Sequence, residues 1–360
     1  MNLWPSLIGN DTKSVLVFGS GTFASKIISA LQEVNIKILG VLDRPEFVGK
    51  PVGGFSVESV EEYKGDSTPV FIAVHNSFAN IVDIERQLHA QGFESTYTPP
   101  QIASYLSGLG KLVENYWLTA STEYSARLDQ HSELESLLSD QQSKDLLQNQ
   151  INYRRTGLTK FLGSPSKVHE QYFPLDVPSF FSKLQEMKAF VDLGAFQGDT
   201  LEALRNSQLS PEIYIGFEPD MANFKVLFEK SASFSGDKLL FPFAAFSNID
   251  TLELTSAGPS SSISKGGSTK VQAAPLDLLI WGLKVSYIKM DIEGSEGEAL
   301  LGAGKLIARD RPVLAISIYH RPEDIVKLPQ IVKSFGVYNE FFLRCYGDQT
   351  FDTVLYCLPK

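Results

Sequence analysis

The stretch Phe190-Val-Asp-Leu-Gly-Ala-Phe-Gln-Gly-Asp-Thr200 leaves the backbone the fewest options in this chain. An apolar run ends in Asp192, Gly194 and Gly198 follow, and Asp199 or Thr200 can cap a helix beginning at Leu201. The pattern predicts a buried strand, a tight turn and a helix N-terminus, with glycines where a ligand approaches the main chain closely. Alone, it does not say which ligand.

A second unit of this kind lies near the start. In Ser14-Val-Leu-Val-Phe-Gly-Ser-Gly-Thr-Phe-Ala24, Gly19 and Gly21 make the turn and Ala24 supplies the small residue needed for close helix–strand packing. Ile36 to Leu42 reads as the next strand and delivers Asp43 where such folds read ribose hydroxyls. Gly49 to Gly54 is a glycine-rich loop, Val70 to Val74 a third strand ending at His75-Asn76, and Ile81 to Gly92 a helix. Alternating strands and helices imply a parallel sheet covered on both faces. Gly19, Gly21, Asp43 and Asn76 are its candidate contacts for a nucleotide or nucleotide-sugar; the alternative is a ligand-free domain used for docking. This domain resembles the sugar-nucleotide-binding domain of bacterial sugar acetyltransferases through Gly-Ser-Gly-Thr-Phe-Ala24, Gly40-Val-Leu-Asp43 and Gly49-Lys-Pro-Val-Gly53.

Tyr97-Thr-Pro-Pro100 marks a boundary, and strands are scarce from there to about Glu186. Leu112 to Tyr124 and Ser132 to Ile151 read as helices, the second with a thin leucine stripe suited to packing on a neighbour. Tyr153-Arg-Arg155 reads as a solvated helix end or an anion contact. Gly157 to Pro174 reads as loop, within which Glu170-Gln-Tyr-Phe173 can fold over a site as a lid.

Composition narrows the partners. A net charge of -10 argues against a nonspecific grip on nucleic acid. Cys345 and Cys357 make no disulfide scaffold and suit a reducing, cytoplasmic setting as small buried residues. Met1 to Ser6 lacks the features of a signal peptide, and no apolar run approaches the roughly 20 residues of a membrane span.

After the opening stretch, Ile213 to Phe217 reads as a strand that delivers Glu218 and Pro219; the carboxylate can accept from both ribose hydroxyls of a nucleoside. Three features favour S-adenosylmethionine over a dinucleotide. The turn from Asp192 to Gly198 lacks Gly-x-Gly-x-x-Gly, and a sulfonium cofactor has no pyrophosphate to cradle; Asp192 can face its ammonium or orient the loop. Asn339 to Cys345 and Thr353 to Leu358 read as a closing antiparallel hairpin. Ser286-Tyr-Ile-Lys-Met-Asp-Ile-Glu-Gly-Ser-Glu296 brings Asp291 and Glu293 to the carboxyl edge of the sheet.

Val191 to Thr200, Gly216-Phe-Glu-Pro-Asp220, Leu276-Asp277 and Lys289-Met-Asp-Ile-Glu-Gly-Ser-Glu296 resemble the FkbM-type S-adenosylmethionine-dependent methyltransferases over roughly Glu170 to Leu358. The resemblance implies O-methylation of hydroxyls on sugars or natural products. It implies cofactor contacts at Asp192, Gly194, Ala195, Gly198, Glu218, Pro219 and Asp291, with Phe243 to Ser247, including Ala245, near the adenine. The electrophile is already activated, so alignment and a base suffice. Asp291, Glu293 and His320 are the base candidates. Asp291 with Glu293 can instead hold a divalent metal, and Glu293 can instead cap the following helix. Ser260 to Ile263 reads as a ligand loop or an ordinary insertion.

The expected fold is α/β: a doubly wound Rossmann-like methyltransferase sheet with a C-terminal antiparallel hairpin (187–360), a smaller N-terminal Rossmann-like domain (1–100) and a helical connector and lid (101–186). Competing readings are a non-catalytic nucleotide-binding scaffold with a retired methyltransferase domain, and an N-methyltransferase. Against the latter, Asp291-Ile-Glu-Gly294 stands where an Asn/Asp-Pro-Pro-Tyr-like motif is common.

Overall fold

The computed structural model describes residues 8, 12–120, 131–255, 262–263, 267 and 269–360. The first half forms β1 (Ser14–Phe18), β2 (Lys37–Asp43), β3 (Pro51–Val52), β4 (Phe55–Ser59), β5 (Val70–Ile72) and β6 (Thr96–Tyr97), in the order β3-β4-β2-β1-β5-β6. All neighbours are parallel except β3 and β4. Gly19 leaves β1 at φ +123°, where a Cβ would lie 2.8 Å from the Ala73 carbonyl oxygen, so the turn requires glycine. Gly49 to Gly54, expected as loop, contains β3.

The second half supplies β7 (Ala189–Leu193), β8 (Ile213–Phe217), β9 (Asp237–Phe241), β10 (Phe243–Ala245), β11 (Asp250–Thr255), β12 (Ser262–Ile263), β13 (Thr269–Ala274), β14 (Val285–Met290), β15 (Val313–Ser317), β16 (Tyr338–Cys345) and β17 (Thr353–Pro359). The main sheet runs β16-β17-β15-β14-β7-β8-β9. Its five central and edge strands through β9 are parallel, and β17 is antiparallel to both β15 and β16, as the expected closing hairpin requires. The chain reverses its order of addition between β7 and β14, so their carboxyl ends flank the crevice where ligands bind such sheets. The sequence reading missed a four-stranded sheet, β10-β13-β11-β12, inserted between β9 and β14. The candidate loop Ser260–Ile263 falls largely outside the described residues, apart from the two positions of β12.

The connector departs from expectation in three places. Residues 112–120 form no helix: a tight turn brings Asn115 and Leu118 into reciprocal backbone hydrogen bonds, with Tyr116 at φ +52°. Residues 121–124 of that predicted helix lie outside the described residues. The predicted helix over Ser132 to Ile151 is two helices, His131–Leu137 and Gln141–Thr156. Asp140 separates them by capping the second, its Oδ1 accepting from Ser143 N–H (2.8 Å). Leu134, Leu138 and Leu147 enter the core of the main sheet. Buried Arg344 of β16 ties the connector down, bonding Asp140 (2.8 Å), Asp176 (2.7 Å) and Ser143 (3.0 Å). Tyr153-Arg-Arg155 is no solvated end, since Tyr153 and Arg154 are buried and the Arg154 guanidinium lies 4.7 Å over the Trp117 ring.

The two halves share a core. Tyr319 and Phe351 from the second half pack into the cluster under the first sheet, against His75 and Tyr116. Asp348 N–H donates to Ser77 O (3.0 Å) across this seam. Among the described residues, no helix is long and apolar enough to cross a membrane.

Candidate active site

A cavity of about 480 Å³ opens at the carboxyl ends of β7 and β14. That is within the ordinary range for a small-ligand site. At one end, Gly194 occupies φ +74°, and a Cβ there would sit 1.9 Å from the Asp291 carbonyl oxygen. The loops after β7 and β14 therefore touch through a glycine that no other residue can replace without movement. Glu218, at the end of β8, lines this region; its Oε2 accepts from Phe196 N–H (3.0 Å) and its Oε1 from Asp220 N–H (2.8 Å). Burial raises the Glu218 carboxyl to about 7 despite those two donors. Pro219, Phe243 and Ala245 line the same end, together with Phe196 and Asn223, which the sequence reading did not single out.

Asp192 does not line the cavity. It is wholly buried, with Oδ1 3.0 Å from Lys289 Nζ and Oδ2 accepting from Tyr214 Oη (2.8 Å). Lys289 Nζ in turn donates to Gly194 O (2.7 Å). Of the two sequence readings for Asp192, the geometry matches the one in which it orients the loop. Ala195 and Gly198 also stay behind the cavity wall; Ala195 N–H bonds Phe217 O (3.0 Å), and Gly198 at φ +82° starts the helix Asp199–Asn206.

At the other end lie Asp291 and Glu293, both lining the cavity. Tyr172 Oη donates to Asp291 Oδ2 (2.7 Å), so the predicted lid segment reaches into the site. Glu293 holds φ +53°, a left-handed conformation that turns the chain sharply after β14. Burial raises the Glu293 carboxyl to about 7; His320 pulls it down, while Asp291 and Glu296 push it up. Asp291 moves the other way: burial alone would raise it, but His320, Lys289 and Tyr172 hold it well below the usual carboxylate range. Glu293 is thus a carboxylate poised near neutrality beside one that stays ionised.

His320 follows β15 but does not reach the cavity; its side chain is 1% exposed. Nε2 lies 3.2 Å from Asp291 Oδ1 and Nδ1 lies 2.8 Å from Glu296 Oε1, close ion pairs without aligned N–H donors. Burial disfavours its charge, but Glu296, Asp291 and Glu293 outweigh burial and keep the ring an imidazolium. The ring therefore lies behind Asp291 and does not line the cavity wall. Asp291, Glu296 and His320 bring one donor atom each within 4.8 Å. The two ring nitrogens face different carboxylates. The expected Asp291–Glu293 pair does not itself gather a third donor within that distance among the described residues.

The N-terminal candidates separate. Gly19, Gly21 and Asp43 do not line the cavity, whereas Asn76 does, with Ser77 and Phe78 beside it. Asn76 Oδ1 is occupied by Phe78 N–H (3.0 Å) and Ala79 N–H (2.9 Å), which fixes the turn. Asp43 Oδ1 accepts from Arg44 N–H (2.8 Å). His75 does not line the cavity; it packs in the seam, 4.7 Å from the Phe351 ring. Tyr116, Tyr319 and Asp352 also line the cavity, and no local motif announced them.

A doubly wound sheet closed by an antiparallel hairpin, with a glycine turn and strand-end acids at its switch point, defines a methyltransferase fold. Residues 192–345 match the family model described as the Methyltransferase FkbM domain. The second half of the chain is an S-adenosylmethionine-dependent methyltransferase domain. A crystal structure of Methyltransferase FkbM from Methylobacillus flagellatus KT is similar over 96% of this chain and 90% of that one, with TM-score 0.76 and 20% identity. At that identity the likeness establishes the fold, including its N-terminal sheet. An rRNA methylase from Streptococcus thermophilus covers 52% of this chain and 98% of its own (TM-score 0.34, 15% identity). Aeropyrum pernix fibrillarin, solved with bound S-adenosyl-L-methionine, covers 48% of this chain and 67% of its own (TM-score 0.32, 12% identity). Neither of these two bears on the site. No curated protein matches the sequence.

Proposed function

We propose that this enzyme transfers the methyl group of S-adenosylmethionine to a hydroxyl of a small polar acceptor, a sugar or related natural product. The observation that carries the reading is one continuous cavity joining Glu218 and Gly194 to Asp291 and Glu293. Glu218 accepts from the ribose hydroxyls, Phe196 and the Phe243–Ala245 strand flank the adenine, and the Gly194 main chain and Asp291 meet the methionine portion. The acceptor oxygen attacks the methyl carbon in line. The C–S bond breaks with its electron pair going to sulfur, leaving S-adenosylhomocysteine, and the hydroxyl proton passes to Glu293. Asp291 stays ionised because His320 and Tyr172 hold it, and it keeps the developing charges oriented. No step needs a metal. The sugar preference rests on the resemblance of the N-terminal domain, and the division into an N-terminal domain, a connector and a catalytic domain is part of the same proposal.

Calorimetry with S-adenosylhomocysteine tests the cofactor contacts. Loss of two charge-assisted ribose bonds in Glu218→Ala weakens binding roughly 10- to 100-fold. Undiminished affinity in the variant excludes the ribose role. Mass spectrometry of products formed with labelled cofactor tests the chemistry, and a methyl found only on nitrogen excludes hydroxyl transfer.

A further inference from the structure

We propose that the acceptor end of this cavity selects a molecule bearing a protonated amine. This rests on the hydroxyl transfer proposed above and names its substrate class; the amine is the group recognised, and the hydroxyl the group methylated.

The charges come first. Asp291, Glu293 and Asp352 line this end and act on one another: Asp291 raises both of the others. Ser77 of the N-terminal half and Tyr319 favour the charged form of the Asp352 carboxyl, and Tyr319 Oη donates to Asp291 Oδ1 (3.5 Å). Against three carboxyls stands one imidazolium, His320, which does not face the cavity. Among the described residues, Lys289 is the one Lys or Arg that lines the cavity, and its Nζ is committed to Asp192 and Gly194 O. A bound S-adenosylmethionine brings its net positive charge to the cofactor end, and the acceptor end keeps its carboxyls without a Lys or Arg of its own among the described residues. A cation on the acceptor fills that deficit. A phosphate or carboxylate on the acceptor, including the diphosphate of a nucleotide-sugar, meets acid and finds no basic partner.

The rings point the same way. Tyr116, Tyr319 and Phe351 form a cluster with centroids 5.2 to 6.5 Å apart beside these acids. Phe78 stands at the mouth, 94% exposed although it lines the cavity. Asn76 and the Asp348–Ser77 bond fix the turn that carries this exposed Phe at the mouth of the cavity. Aromatic faces alternating with carboxylates, without Lys or Arg, form the environment in which proteins hold ammonium groups.

The test uses three small probes of similar size and different charge: 2-aminoethanol, ethylene glycol and glycolate. Each is titrated by NMR into wild-type protein saturated with S-adenosylhomocysteine. The expected result is that 2-aminoethanol binds roughly tenfold tighter than ethylene glycol, and glycolate more weakly than either. Asp352→Asn narrows the amine-to-glycol ratio by about threefold while S-adenosylhomocysteine affinity stays within about twofold of wild type. The proposal is overturned if 2-aminoethanol binds no better than ethylene glycol, if it shows no saturable binding, or if glycolate binds best. A ratio unchanged in folded Asp352→Asn overturns the role of that carboxyl. Failure of wild type to bind S-adenosylhomocysteine is a different result and strikes the cofactor assignment.

Discussion

Replacing Glu293 with Gln stabilises the ligand-free protein at alkaline pH while removing the proposed proton acceptor. The side chain is 20% exposed, so its charge is only partly screened. Burial, together with Asp291 and Glu296, lifts the carboxyl from 4.5 to about 7. A carboxyl with a raised folded-state pKa holds its proton more tightly in the folded chain. Its contribution to stability is therefore whole below the unfolded pKa and lost as pH climbs through the folded one. Linkage gives a wild-type loss of about 1.4 kcal/mol by pH 5.5 and about 3.4 kcal/mol by pH 8.5, as upper figures. The neutral amide of the Glu293→Gln variant has no such loss, so the variant's advantage grows by about 2 kcal/mol between the two pH values. Glu218 and Asp324 are raised too, but neither is among the groups that shift Glu293, so they cancel in the difference; Asp352 acts directly on Glu293, and the figures are for the Glu293 carboxyl alone. Urea unfolding of wild type and Glu293→Gln at pH 5.5 and 8.5 measures the effect. Parallel pH slopes, or a variant less stable than wild type at pH 8.5, refute the reasoning.

Three further outcomes are expected. Tyr172→Phe removes the 2.7 Å bond to Asp291 and lowers kcat roughly 5- to 30-fold in single-turnover methyl transfer, with S-adenosylhomocysteine binding intact; a drop in cofactor affinity instead would move Tyr172 to the other end of the cavity. Gly194→Ala drives a methyl against the Asp291 carbonyl in a left-handed backbone and costs at least ~3 kcal/mol in urea unfolding. Activity survives EDTA unchanged, because the proposed displacement needs no metal; loss on chelation with recovery on adding magnesium contradicts that and points to the Asp291, Glu296 and His320 donors.

The main sheet is legible because its central strands are short, buried on both faces, mostly apolar and punctuated at their ends: Phe190–Leu193 before Gly194, Ile213–Phe217 before Glu218, Tyr287–Met290 before Asp291. The same punctuation exposes Glu218, Asp291 and Glu293, since an acid at the carboxyl end of such a strand faces the crevice. The connector is not legible. Apolar residues at helical spacing around Trp117 and Leu118 serve a turn buried in the seam between two sheets, and spacing alone does not tell a seam from a helix face. The small sheet β10-β13-β11-β12 escapes because its strands are short and largely polar. Phe78, Tyr116, Tyr319 and Asp352 escape for another reason. They sit on turns or just past strand ends in different parts of the chain, and only the docking of the two halves brings them to one cavity. His320 is legible as a strand-end residue, but its enclosure by Glu296 depends on the turn between them.

Two separate costs fall on Glu293. A glutamate at φ +53° forgoes roughly 1–2 kcal/mol relative to an ordinary backbone, and Asn or Gly would relieve it. The raised pKa adds the penalty described above, and Gln would relieve that. The turn around it is firmly specified: Glu296 Oε1 accepts from Ile292 N–H (2.9 Å), and Gly294 at φ +95° leaves no room for a Cβ beside Arg321 Nε, 2.7 Å away. A sheet end with only structural duties gains nothing from a strained, partly uncharged carboxyl facing a cavity. Local rules broken twice at one residue, with the surroundings built to hold it there, mark the place where folding gives way to function. Asp291 supplies the contrast two residues earlier, on the same strand end, with its charge compensated by His320 and Lys289. The difference between the two carboxyls lies in their neighbours, and in the proposed mechanism that difference separates a group that holds the reactants from one that takes the proton.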